Sequence, residues 1–133
     1  MRTHLSGAVT HFEIYAEDPA KLAEFYRGLF GWQVDQAPGA DYWQIQAGAG
    51  SDGGVGGGLT YRPIPGLRSW VHYVNVSSID EAAAQVEALG GVVLRPKAAV
   101  LHAGWYAMAA DPEGNIFAIW QADAAAPSRV EQE

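Results

Sequence analysis

The sequence predicts an α+β fold in which one strand-helix-strand-strand-strand module occurs twice. Three observations carry this. Residues 9–32, VTHFEIYAEDPAKLAEFYRGLFGW, pass from an alternating apolar period to a helical one. Residues 70–93, WVHYVNVSSIDEAAAQVEALGGVV, repeat that passage at a spacing of 60, with His11 over Val71, Ile14 over Val74, Asp18 over Ser78 and Leu29 over Leu89. Each copy is then followed by short β-rich runs divided by turn-forming residues. A chain of 133 residues is one domain's worth, so the copies are expected to share a core. The expected layout is a single domain over 1–133, with module one at about 8–62, a linker at 63–69, module two at about 70–121 and a loose tail at 122–133.

Taken in order, residues 10–15 form a strand whose Phe12 and Ile14 face one way while His11 and Glu13 face the other. Asp18 caps the first helix, and Pro19 suits its first position because the missing N–H needs no partner there. Leu22, Phe25, Tyr26 and Leu29 recur at helical spacing, and Gly31 closes the helix. Residues 32–36 and 42–47 read as strands around an APGAD turn. The run 48–58, GAGSDGGVGGG, holds a G-x-G-x-x-G at Gly48, Gly50 and Gly53. No helix follows and no acidic residue stands where a dinucleotide site needs one, so it reads as a hairpin loop. Its Gly56, Gly57 and Gly58 would let a ligand or another backbone come close, and a strand follows over 55–61.

In module two, Ser78 and Glu81 form a capping box, and Ile79, Ala82, Ala83, Val86 and Leu89 make the apolar stripe up to Gly90-Gly91. Residues 92–95 are a strand, and 96–104 are an irregular loop carrying His102 as a surface residue. A strand over 105–110, a turn of strong signature at Asp111-Pro-Glu-Gly-Asn115 and a last strand over 116–121 complete the module.

Composition excludes several functions. Eight Lys+Arg against fifteen Asp+Glu provide no basic stripe for nucleic acid. The net charge of −7 fits a neutral or cationic ligand better than an anionic one. The absence of cysteine removes disulfides, thiolate nucleophiles and cysteine-based zinc sites. No run reaches the ~20 apolar residues of a membrane span, and residues 1–7 lack the core of a signal peptide, so a cytoplasmic location is expected. Five Trp suit core and interface packing, with at least one left for a ligand wall.

The H-F-E-I-x-A-E-D-P, F-Y and F-G-W run, the L-G-G helix end and the closing D-P-E-G-N-I-F-A-I-W-Q together resemble the vicinal oxygen chelate superfamily. That group includes lactoylglutathione lyase, bleomycin-resistance proteins, fosfomycin-resistance enzymes and extradiol dioxygenases. The resemblance spans about residues 8–121 and implies an incomplete barrel with helices outside and a cup inside. It also implies four metal-ligand positions, one on the first and one on the last strand of each module. A metal held there would chelate neighbouring substrate oxygens and stabilise an enolate-like intermediate. Carried over, the positions fall on His11, Gly58, Val71 and Ala118. One imidazole does not hold a divalent ion, so the usual metal is expected to be missing. A one-residue register change would bring His72 to His11 and Glu13, a two-histidine, one-carboxylate set that suits iron. Otherwise His72 is a partly buried histidine bonded to a neighbour.

Strand parity lines the implied cup with His11, Glu13, Tyr15, Thr60, Tyr73, Asn75, Ala118 and Trp120, with Trp43 and Trp105 as further walls or rim. The expected function is a glyoxalase/bleomycin-resistance-like protein that binds a small molecule in a cup lined by both modules and carries no cofactor. One alternative is a lyase, isomerase or dioxygenase with a divalent metal on His11, Glu13 and His72. Another is a metal-free enzyme with Glu13 and His11 as acid and base. Relatives of this size commonly pair, and exposed sheet edges favour self-association, so a homodimer is expected.

Overall fold

A computed structural model describes residues 7–47 and 56–127. The G-x-G-x-x-G at Gly48, Gly50 and Gly53, and residues 1–6 and 128–133, lie outside the described residues. Two compact units are present, Thr10–His72 and the chain from Tyr73 on together with residues 7–9.

The first unit carries β1 (Ala8–Ala16), α1 (Pro19–Phe30), β2 (Gln33–Gln36), β3 (Tyr42–Gln46) and β4 (Gly56–Tyr61). Its strands lie in the order β2-β3-β4-β1, antiparallel except for β4 beside β1. The Asp18 side chain accepts from the Lys21 amide at 3.2 Å, Pro19 opens the helix, and Gly31 ends it at φ 70°, a left-handed turn that glycine adopts without a Cβ clash. Phe12, Ile14, Val34, Trp43, Ile45 and Leu59 form the core with Ala23, and Leu22, Tyr26 and Trp32 pack against it. The stripe expected on α1 is half right. Phe25 and Leu29 are 56% and 58% exposed, because the face turned to the sheet is that of Ala23, Leu22 and Tyr26.

The second unit carries β5 (Trp70–Asn75, whose first residues belong to the first unit), α2 (Ile79–Ala88), β6 (Val92–Val100), β7 (Gly104–Ala110) and β8 (Ile116–Ala122). The order is β5-β8-β7-β6, with β5 parallel to β8. Ser78 Oγ accepts from the Glu81 amide at 3.2 Å, and Val76, Ile79, Ala82, Ala107 and Ile119 form the core. Asp111 Oδ1 accepts from the amides of Glu113 and Asn115, which closes the turn expected there.

Two expectations are corrected. Residues 96–100 are not loop: β6 runs to Val100, and register shifts between Val93 and Arg95 and between Arg95 and Ala98 accommodate Pro96 in an edge strand of its unit. The tail does not start at 122. Ala126 is 1% exposed and accepts from the His102 amide, Asp123 N donates to Ala103 O, and Trp105 Nε1 donates to Asp123 Oδ2 at 3.0 Å.

Candidate functional site

Register decides which side chains share a face. In the first unit Glu13 lies opposite Gly58, Gly58 opposite Gln44, and Tyr15 and Tyr42 both opposite Thr60. His11, Glu13, Tyr15, Tyr42, Gln44 and Thr60 therefore occupy the sheet face turned away from the core of Phe12, Ile14, Trp43 and Leu59.

The centre of that face is Glu13. Its Oε1 accepts from the Tyr15 hydroxyl at 2.7 Å and its Oε2 from the Tyr42 hydroxyl at 3.0 Å. Tyr42 reaches Glu13 by crossing β4 at Gly58, where a Cβ would collide with the phenol oxygen and ring. Where a ligand or another backbone was expected to come close, the approach is made by aromatic side chains of the same unit: Tyr42 at Gly58, and the Phe12 ring at Gly57. Burial, then the Glu13 charge and the hydrogen bond to it, hold the Tyr42 phenol well above its ordinary pKa, so it stays a proton donor. Half-buried His11 has its pKa lowered by burial, with Glu13 opposing the shift, and its Nδ1 lies 3.1 Å from Thr10 Oγ1. Thr60 Oγ1 donates to Asp41 O at 2.6 Å.

In the second unit Tyr73 lies opposite Ala118 and Asn75 opposite Trp120, as parity requires; Trp120 in turn faces Tyr106 and Ala118 faces Met108. Tyr106 accepts from Arg95 Nε at 2.8 Å, and its ring centroid is 6.4 Å from that of Tyr73. The two Trp whose facing parity alone leaves open are both on the helix side. Trp43 is in the core beneath α1, and Trp105 packs against the cluster beneath α2, with Lys97 Nζ 4.5 Å from its ring centroid. The structure does not bring Trp43 to Glu13, nor Trp105 to Tyr73 and Trp120.

The donor set does not fit a divalent metal. Both Glu13 oxygens already hold phenols, the space a side chain at 58 would need is filled by Tyr42, and His72 is exposed. Among the described residues no group of three or more His, Cys, Asp or Glu is placed to hold an ion, so the set His11, Glu13 and His72 is not assembled.

A family profile for the glyoxalase-like domain matches residues 11–120. The chain belongs to that family, within the vicinal oxygen chelate superfamily. The anthracycline biosynthesis protein DauV of Streptomyces sp. (strain C5) is 31% identical over 134 residues, covering 86% of this chain and 47% of that protein. The chain spans about half the length of the curated relatives it matches. Two solved structures share the fold. A glyoxalase/bleomycin resistance protein/dioxygenase superfamily member from Vibrio splendidus has a TM-score of 0.59 at 18% identity, over 89% of this chain and 100% of that one. The Mn(II)-bound glyoxalase from Novosphingobium aromaticivorans has a TM-score of 0.53 at 19% identity, over 92% of this chain and 42% of that one. No helix among the described residues is long and apolar enough to cross a membrane.

Sequence reasoning missed Tyr42, Arg95 and Tyr106. For Tyr42 a signal existed: a glycine inside a strand, Gly58, marks a close approach by a neighbour.

Proposed function

We propose that this glyoxalase-like protein binds a small molecule without a divalent metal, on the face of the first unit that carries His11, Glu13, Tyr15, Tyr42 and Thr60. The observation that supports this most is the use of both Glu13 oxygens by two phenols, one of which fills the space over Gly58. A carboxylate held in that way presents negative charge and oriented hydroxyls, which suits a cationic or hydroxyl-bearing aromatic ligand better than an anion. The relative in anthracycline biosynthesis makes an anthracycline-type aromatic the first compound to try. The proposal includes a single domain, a cytoplasmic location and a homodimer, with exposed Phe25, Leu29 and Phe30 on α1 as the surface that pairs.

The test is a thermal-shift screen of aromatic and cationic compounds in the presence of chelator. A compound that raises Tm equally with and without chelator, and fails to do so in Glu13→Gln, supports the reading. A shift that appears only after a divalent metal is added contradicts it.

A second reading, a metal-free acid–base enzyme, draws on half-buried His11, whose lowered pKa keeps the imidazole neutral and able to accept a proton beside Glu13. Turnover that survives chelator and is lost in both Glu13→Gln and His11→Ala would favour it over binding alone.

A further inference from the structure

The two modules fill the space beneath their helices differently. In the first, Leu22, Tyr26 and Trp32 pack on the core, and the Tyr26 and Trp32 rings stack with centroids 5.4 Å apart. At the repeat spacing the second module has Ala82, Val86 and Val92 at those positions, each a smaller side chain. The aromatic of the strand pair has also moved: Phe12 lies beside Gly57 in the first module, whereas exposed His72 and half-buried Phe117 take those positions in the second. The helix α2 has not collapsed into the vacated volume. Its start is pinned by the Ile79 amide, which donates to Gln121 Oε1 at 2.9 Å, and by the burial of Ile79 and Ala82. Its end is fixed at Gly91, where an added Cβ would meet the Ala110 carbonyl oxygen at 2.6 Å. What remains is a pocket of about 260 Å³ between α2 and the sheet, walled chiefly by Ala82, Val86, Leu89, Pro112, Phe117 and Ile119.

We propose that this pocket is a second binding site, for a neutral aromatic molecule of one or two rings. Three features select that chemistry. Two of the reduced positions, Ala82 and Val86, line the pocket where the first module has a leucine and a tyrosine, so the space beside them is that of one ring and a branched alkyl group. The Phe117 ring provides one wall against which a planar molecule stacks. The wall is almost wholly apolar and the pocket opens to solvent past exposed Leu89, so a ring seated there removes apolar surface from water. The carboxylate among its lining residues, Asp111, is engaged by the backbone of its own turn and excludes anions.

The experiment is an NMR titration of the ¹⁵N-labelled chain with indole. Shifts centred on residues 82–91 and 110–119 are expected. Val86→Tyr, which restores the ring found in the first module, should weaken indole binding about tenfold or more, and Ala82→Leu should do the same by a smaller filling. Ala82→Leu serves as the test should Val86→Tyr fail to fold. Glu13→Gln should leave indole affinity unchanged, which separates this site from the ligand face proposed above. No indole shifts, shifts centred elsewhere, or wild-type affinity in the filling variants would overturn the proposal.

Discussion

The Tyr42 hydroxyl crosses Gly58 to donate to Glu13 Oε2 at 3.0 Å. Three strands meet in that contact: β3 provides the phenol, β4 the gap and β1 the acceptor. The gap is needed because the phenol lies where any side chain on β4 would begin. The space that a side chain at position 58 would occupy is taken by a phenol that donates to a carboxylate.

Removing that donor should cost stability. Tyr42→Phe leaves a half-buried carboxylate with one phenol in place of two, and a hydrogen bond to a charged acceptor in such a setting contributes about 1–2 kcal/mol. Urea denaturation should give a lower midpoint with an unchanged slope. A midpoint equal to wild type would mean that the contact is absent in solution.

Gly58→Ala should destabilise by about 1–3 kcal/mol, because the new methyl group displaces the phenol. Combined with Tyr42→Ala, the same change should cost less than the two single effects added together, since the clash no longer exists. Strict additivity would separate Gly58 from Tyr42 and contradict the geometry.

His11 predicts a pH dependence. Burial lowers its folded pKa below the unfolded value of 6.5, so the unfolded chain takes up the proton more readily. The stability associated with neutral His11 is present above pH 6.5 and is lost as pH falls from there through the folded pKa. The difference between the denaturation midpoints of wild type and His11→Gln should stay constant above pH 6.5 and shift against wild type as pH falls below it. Following the imidazole proton by NMR should give a midpoint below that of a free histidine.

The proposed pairing surface makes a prediction of mass. Light scattering on eluted protein should give twice the chain mass, and Phe25→Glu with Phe30→Glu should reduce it to that of one chain. A single-chain mass for wild type would remove the dimer from the account.

Most of the fold was legible because it is written in local rules. Asp18, Ser78, Gly31 and the Asp111 turn act within a few residues of themselves, so caps and turns could be read directly. Facing follows from parity once β1 is placed, which is why Tyr73, Asn75, Ala118 and Trp120 could be expected on one face, where the register pairs Tyr73 with Ala118 and Asn75 with Trp120. What could not be read were choices made by long-range packing. Pro96 reads as a loop former, yet an edge strand with register shifts absorbs it. Trp43 and Trp105 took the helix side because the cores beneath α1 and α2 needed them, which parity within a short strand does not reveal. Tyr42 reaches its partner 29 positions back in the chain, and the only local trace of that contact is the glycine it passes over.

Both Glu13 oxygens are held by phenols, and we propose that this face works without a metal. The most direct measurement is elemental analysis after equilibration of untagged protein with Mn²⁺, Ni²⁺, Zn²⁺ and Fe²⁺, for wild type and His11→Ala. No stoichiometric metal is expected in either protein. One equivalent of metal in wild type, lost in His11→Ala, would contradict it.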